Sequence, residues 1–221
     1  MNILRKVDLF ILKPEGLLFM DSIKILSFDP GLNCLGWAMS IYYPETDTLV
    51  VQKFGGIKAN KVASKQKELS DIYGSRILAL REVEQGVSKL VRSFDPDYVT
   101  SEDTFFFSKS PNAYAALAMV VHTIERTLFE EYETYHKSKI TARTLYKFAP
   151  RSIKNTASSS SLSTKAEMLK SLSTHNDIQF KLKDNETLDM IYNQLTEHSV
   201  DAISCAYTFT KSSLPGILCS Q

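Results

Sequence analysis

Ile23 to Phe28 (I-K-I-L-S-F) runs into Asp29-Pro30-Gly31 and then into Leu32 to Ala38 (L-N-C-L-G-W-A). A short apolar run that closes on a turn signal predicts a buried strand, and its C-terminal end carries Asp29. Working outward, Leu35 to Tyr43 and Thr48 to Phe54 read as two more strands, with Pro44, Glu45, Thr46 and Asp47 as a hairpin turn between them. Gly55-Gly56 marks the end of that pair or a bulge. From Ser64 to Phe94 the period changes. Leu69, Ile72, Tyr73, Ile77, Leu80, Val83, Val87, Leu90, Val91 and Phe94 recur at three- and four-residue steps, which predicts one long amphipathic helix, stopped by Asp95-Pro96. Asp97 to Glu102 (D-Y-V-T-S-E) reads as a strand that again ends in a carboxylate. Asn112 to Glu131 reads as a helix, Lys139 to Thr144 as a strand, and Ile153 to Thr164 as a Ser-rich, structure-poor linker. Thr164 with Glu167 is a capping-box signature for a helix from Lys165, and a final helix runs from Glu197 to Thr210. Strands alternating with helices after an antiparallel start predict one α/β domain with a mixed sheet.

Composition narrows the class. The 221 residues carry 26 Lys and Arg against 25 Asp and Glu, and 43% are hydrophobic, so whole-chain disorder and coiled coil are excluded. The net charge of +1 by itself predicts no nucleic acid, so such a partner has to be argued from local charge. No apolar run approaches a membrane span. Cys34, Cys205 and Cys219 are odd in number and lack C-x-x-C spacing, which predicts an intracellular protein in a reducing compartment. Arg5 and Lys6 before Leu9 to Leu12 imitate a signal peptide, but Lys13, Pro14 and Glu15 break the apolar run. Met20 is an alternative start, and residues 1–21 read as a dispensable extension.

Chemistry in α/β folds sits at strand ends, and two of these ends carry an acid, Asp29 and Glu102. The last helix holds His198 and Asp201 at i and i+3, on one face. Three carboxylates and an imidazole, if they converge, make a hard-oxygen set suited to Mg²⁺ or Mn²⁺ rather than zinc. Taken singly, each has a plainer reading: Asp-Pro-Gly as a turn, Glu102 as a cap, His198 and Asp201 as helix surface. Residues 141–183 contain Arg143, Lys147, Arg151, Lys154, Lys165, Lys170, Lys181 and Lys183 against Glu167 and Asp177. That segment is +6 and the remainder −5, an asymmetry expected of a nucleic-acid footprint, although a solvated surface would look the same.

These blocks, in this order, resemble the RuvC family of Holliday junction resolvases. Ile25 to Ala38 is similar to the family's first strand, with its Asp-x-Gly and a second glycine, Gly36, five residues on. Pro96 to Ala113 (P-D-Y-V-T-S-E-D-T-F-F-F-S-K-S-P-N-A) resembles the second motif, a Glu followed three residues later by a Phe, here Phe105. Phe148 to Leu169 resembles the segment holding two basic residues, here Lys154 and Lys165, and His198 to Phe209 the closing helix, which takes Asp or His before its Asp. Residues 175–197 are longer than the family's usual connection, which points to a phage-encoded or otherwise divergent member.

The resemblance implies an RNase H-like fold over residues 22–212: a central mixed five-stranded sheet with helices on both faces, followed by a tail at 213–221. It implies a crossover junction endonuclease with two Mg²⁺ ions, Mn²⁺ substituting, held by Asp29, Glu102, His198 and Asp201. It also implies DNA contacts from Phe105, Phe106, Lys109, Arg151, Lys154 and Lys165, branched DNA as partner, and a homodimer formed through the Ala-rich helix from Asn112. Phe105, Phe106 and Phe107 cannot all face one core, so one is expected to stack on a base. The competing expectation is an RNase H-like protein that binds or assembles on branched DNA without cutting it. A sugar-kinase-like ATPase is disfavoured, because no phosphate loop accompanies the Asp-Gly strand.

Overall fold

The computed structural model describes residues 22–63, 65, 67–104, 110–134 and 144–219. Strand β1 (Ile23–Asp29) is followed by β2 (Leu35–Tyr43), a 3-10 turn at Pro44–Thr46, and β3 (Thr48–Ile57). Helices α1 (Asn60–Ala63), α2 (Lys67–Tyr73) and α3 (Ser75–Phe94) lead to β4 (Tyr98–Glu102) and α4 (Pro111–Thr134). Then come β5 (Leu145–Phe148), α5 (Pro150–Ser158), α6 (Lys165–Thr174), β6 (Ile178–Phe180), α7 (Leu188–Gln194), α8 (Glu197–Ser212) and α9 (Leu214–Leu218). The sheet order is β5-β4-β1-β2-β3-β6, with β2 antiparallel to both its neighbours and every other pairing parallel.

Strand parity builds two cores. Along β1, Leu26 and Phe28 point to one face, where they pack with Ala79, Val83, Val87 and Val91 of α3 and with Val120, Ile124 and Leu128 of α4. Ile23 and Ile25 point to the other face, toward α8, α5 and α6. Helix α8 is buried almost all round, from Ser199 and Val200 through Thr210 except at Asp201, because it lies between the sheet and α5–α6. A bidentate pair joins α3 to α4 on the opposite layer: Arg92 Nε and Nη2 donate to Glu131 at 2.7 and 2.9 Å, and Ser88 Oγ donates to the same carboxylate at 2.7 Å. The three cysteines of the sequence are free thiols. No helix among the described residues is long and apolar enough to cross a membrane.

Several expectations are corrected. The sheet has six strands rather than five, because Ile178–Phe180 adds in parallel to Leu49–Val51 at the β3 edge. Three residues with one exposed between two buried are too short a run to show a period. The long helix expected from Ser64 is broken at Gly74, whose φ of +83° no helix accommodates. Leu69, Ile72, Tyr73 and Ile77 are consequently exposed, and the packed face begins at Leu78. The Ser-rich linker is mostly helical: Pro150 sits at the N-terminus of α5, and Ile153 and Ala157, one turn apart, are buried beneath it. It ends at Ser159 in the left-handed conformation, whose N–H donates to Asn155 O. A strand is found at Leu145–Phe148, and the strand expected over Lys139 to Thr144 falls, up to residue 143, outside the described residues. Gly55 and Gly56 are interior to β3; the register slips instead between Met39 and Ser40, whose partners are Lys53 and Val51, leaving Gln52 unmatched.

Candidate active site

Parity that carries Ile23 and Ile25 toward α8 carries Ser27 and Asp29 the same way. On β4, which runs parallel with Ile25 opposite Tyr98 and Phe28 opposite Ser101, the same face receives Tyr98, Thr100 and Glu102. Asp29 and Glu102 therefore end adjacent strands, one register step past Phe28 and Ser101, on the side that α8 covers.

Helix α8 starts where it does because Thr196 caps it. Ser199 N–H donates to Thr196 Oγ1 at 3.2 Å, and Ser199 Oγ receives Thr196 N–H at 2.8 Å. Its first turn can approach the sheet because Gly36, the β2 residue opposite Asp29, has no side chain. A Cβ there would lie 2.3 Å from His198 O and 2.7 Å from His198 C. This close approach brings His198 Nδ1 to 2.6 Å from Asp29 Oδ2. An ionised carboxylate can only accept, so in this contact Nδ1–H donates to Asp29. The Asp29 carboxylate is nearly enclosed, at 12% exposure, whereas His198 is one-third exposed.

Asp201, one turn further along α8, is half-buried, as is Glu102. Cys205, one turn beyond Asp201 on α8, is fully buried, its Sγ 2.9 Å from Thr100 Oγ1 of β4. Burial pushes the Cys205 thiol far up; the Thr100 bond opposes this, and the charges of Glu102, Asp29 and Asp201 add to the rise. One thiol thus senses all three carboxylates, which places them in a single electrostatic neighbourhood. Their chemistry fits a hard divalent cation: three carboxylates, and an imidazole with one nitrogen already fixed by a carboxylate. Among the described residues, no three His, Cys, Asp or Glu side chains stand close enough to close on one ion. Like charges oppose such closure, and Asp29 is turned toward His198.

The sequence-predicted DNA-contact residues fall into two groups. Arg151 is exposed and Lys154 half-buried on α5, just past the end of β5 and hence near Glu102, which registers with Phe148. Phe105, Phe106, Phe107 and Lys109 lie outside the described residues, as does the side chain of Lys165 at the start of α6. Lys147, counted in the basic segment, is paired with Glu125 of α4 at 2.8 Å. Three features were not anticipated: the role of Gly36 as the seat of α8, the Thr100–Cys205 pair, and a groove beside His198 walled by Lys58 and Lys61. The groove had a signal, since residues 58–67 hold four lysines and no acid.

No family model and no curated protein matches the sequence. Solved structures do match. RuvC from Thermus thermophilus, in complex with a Holliday junction substrate, superposes with a TM-score of 0.61 at 14% identity, over 88% of this chain and 96% of that one. The yeast mitochondrial Holliday junction resolvase gives 0.56 at 12% identity, over 87% of this chain and 81% of that one. The fowlpox virus Holliday junction resolvase gives 0.50 at 15% identity, over 86% and 99%. At these identities the likeness speaks for architecture: the chain has the RNase H-like fold of the RuvC-type Holliday junction resolvases.

Proposed function

We propose that the chain is a structure-selective, divalent-metal-dependent DNA endonuclease that resolves four-way junctions, and other branched DNA, by paired nicks leaving 5′-phosphate and 3′-hydroxyl ends. The observation that supports the reading is the placing of Asp29 and Glu102 at the ends of adjacent strands on the face covered by α8, with Asp29 bonded to His198 of that helix at 2.6 Å. Asp29, Glu102, His198 and Asp201 would hold two Mg²⁺ ions, or Mn²⁺ in their place. Bound Mg²⁺ supplies Lewis-acid stabilisation of the charge that builds on the phosphoryl oxygens and eases deprotonation of the attacking water. The chain's own part is to set donor positions. Asp29 orients the imidazole through Nδ1–H, Gly36 lets α8 bring it there, and Thr100 with Cys205 fixes α8 against β4.

Arg151 and Lys154 on α5, with Lys165, Lys109, Phe105 and Phe106, form the proposed DNA-contacting set. A homodimer through α4 would present two such sites to opposed strands of a junction. Residues 22–212 form the proposed nuclease domain, and three free thiols suit an intracellular, reducing compartment. The second reading, a branched-DNA-binding or assembly protein without efficient cleavage, draws on the absence of a closed three-donor cluster among the described residues. One assay decides between them: a labelled synthetic four-way junction incubated with the protein and Mg²⁺ yields paired, ligatable nicks under the first reading, and a shifted but intact junction under the second.

A further inference from the structure

Strands β1, β3, β4 and β5 all end at the same side of the sheet, and β2 begins there. In the order β5-β4-β1-β2-β3, Asp29 is central. Beyond β5 the chain emerges into α5, with Arg151 and Lys154. Beyond β3, on the opposite flank, it emerges as Lys58-Ala59-Asn60-Lys61. Lys58, Asn60 and Lys61 wall a groove of about 480 Å³ whose other wall is Glu197 and His198, at the start of α8. The Asn60 side-chain amide donates to Asn33 Oδ1, tying the β1–β2 turn to α1 across the groove. Both lysines are exposed. The Cys34 thiol, pushed up by burial, is drawn down by the charge of Lys58 and pushed up by that of Asp29. The lining carries two ammonium side chains, Lys58 and Lys61, and one carboxylate, Glu197, and it includes His198, whose imidazole holds Asp29.

A linear polyanion suits this layout. Cutting one phosphodiester demands that the backbone be held on both sides of the scissile group, because a strand gripped on one side swings out of line on the other. Among the described residues, the proposed contacts Arg151 and Lys154 lie on the β5 side of Asp29. We propose that the Lys58–Lys61 groove is a second phosphodiester-backbone subsite. In it, the two ammonium groups and the Asn33 and Asn60 amides hold the nucleic-acid strand on the β3 side of the Asp29–His198 pair. The inference rests on the reading of the chain as a DNA-cleaving enzyme and adds residues that reading does not include.

The test measures binding of the full chain to a labelled four-way junction in EDTA across a salt series. The proteins are wild type, Lys58→Ala/Lys61→Ala, Lys58→Arg/Lys61→Arg and Arg151→Ala/Lys154→Ala. The expected result for Lys58→Ala/Lys61→Ala is about tenfold or more loss of affinity and a fall of up to roughly 2 in the slope of log K against log salt. The arginine pair should restore both. Loss of affinity with an unchanged slope would mean that the lysines support the fold rather than phosphates, and overturns the subsite. Wild-type affinity and slope in Lys58→Ala/Lys61→Ala, with Arg151→Ala/Lys154→Ala impaired, overturns the subsite and leaves the DNA reading standing. A wild-type protein that binds no junction at any salt overturns the DNA reading itself, and the subsite with it.

Discussion

Asp29 and His198 hold each other, yet their removal should separate function from fold in different ways. Asp29→Asn keeps the shape and an acceptor for Nδ1–H while deleting one of three neighbouring negative charges. The expected outcome is loss of junction cleavage by on the order of a hundredfold or more, the scale at which one electrostatic partner of a transition state is removed. Junction binding should be intact or tighter, since a charge facing the phosphates has gone. Cleavage within tenfold of wild type would take Asp29 out of the chemistry. His198→Ala opens a gap on the groove side and leaves Asp29 without its imidazole, and should lose most activity. His198→Asp offers a hard oxygen donor from the same helix turn and should retain activity with Mg²⁺. Single-turnover cleavage, normalised to the folded fraction, distinguishes the two variants. If His198 merely tidies the start of α8, His198→Ala would cost about 1 kcal/mol of stability and cleave at the wild-type rate.

At the scale of elements, the position of α8 against β2 depends on an atom that is missing. A Cβ on residue 36 would meet His198 O, C and Cβ within 2.8 Å, and all three belong to the helix's first turn rather than to a flexible tip. Gly36→Ala must therefore push that turn off the sheet, at a cost of about 1–3 kcal/mol. Cleavage per folded molecule should fall beyond what the lost stability explains; urea melts beside single-turnover rates measure the two separately, and an unchanged rate would show that His198 finds Asp29 without this seat. How far the sequence could be read follows the same division. Asp29, Glu102 and the cap of α6 were legible because an acid closing a short strand run, and a Thr three residues before a Glu, carry local signatures. The glycine was legible as part of a motif but not in its purpose, since the residue it admits is 162 positions away. Helix α5 was obscured by its serines. Its helical state is decided by two buried residues, Ile153 and Ala157, that pack under α8, a tertiary choice which composition does not reveal. Strand β6 was hidden for the same reason, being defined by pairing with β3 rather than by its own three residues.

Across the whole molecule, the far end of α8 is fastened by a polar cluster that draws on four separate segments. Lys211 Nζ donates to Asp47 Oδ2 of the β2–β3 turn at 2.7 Å and lies 2.6 Å from Asp177 Oδ2, just before β6. Tyr207 OH donates to Asp177 at 3.0 Å, Tyr42 OH to Asp47 at 2.8 Å, and His175 Nε2 stands 3.0 Å from Ala157 O at the end of α5. The cluster thus ties the helix bearing His198 and Asp201 to the edge of the sheet and to α5. Burial pushes the Asp177 carboxyl up, but the hydrogen bonds from Lys211 and Tyr207 and the Lys211 charge outweigh it and hold the group below the ordinary carboxylate range. A depressed folded-state value means that the stabilisation is present above the unfolded value, about 3.9 for an aspartate, and is lost as pH falls through the lower, folded one. Burial lowers the Lys211 ammonium, and its bonds to Asp177 and Asp47 raise it by more, so its share is present below the ordinary lysine range and lost as pH rises through a higher value. Burial and the Asp47 bond push Tyr42 to about 12, which adds to the alkaline loss. Asp177→Asn should therefore be less stable than wild type at neutral pH, with the gap beginning to narrow below about pH 4 and closing as the pH falls through the lower, folded value of Asp177. Thermal melts of the two proteins from pH 3 to pH 8 measure it, and a gap that stays constant down to the lowest pH would mean that shape rather than charge at residue 177 fastens α8.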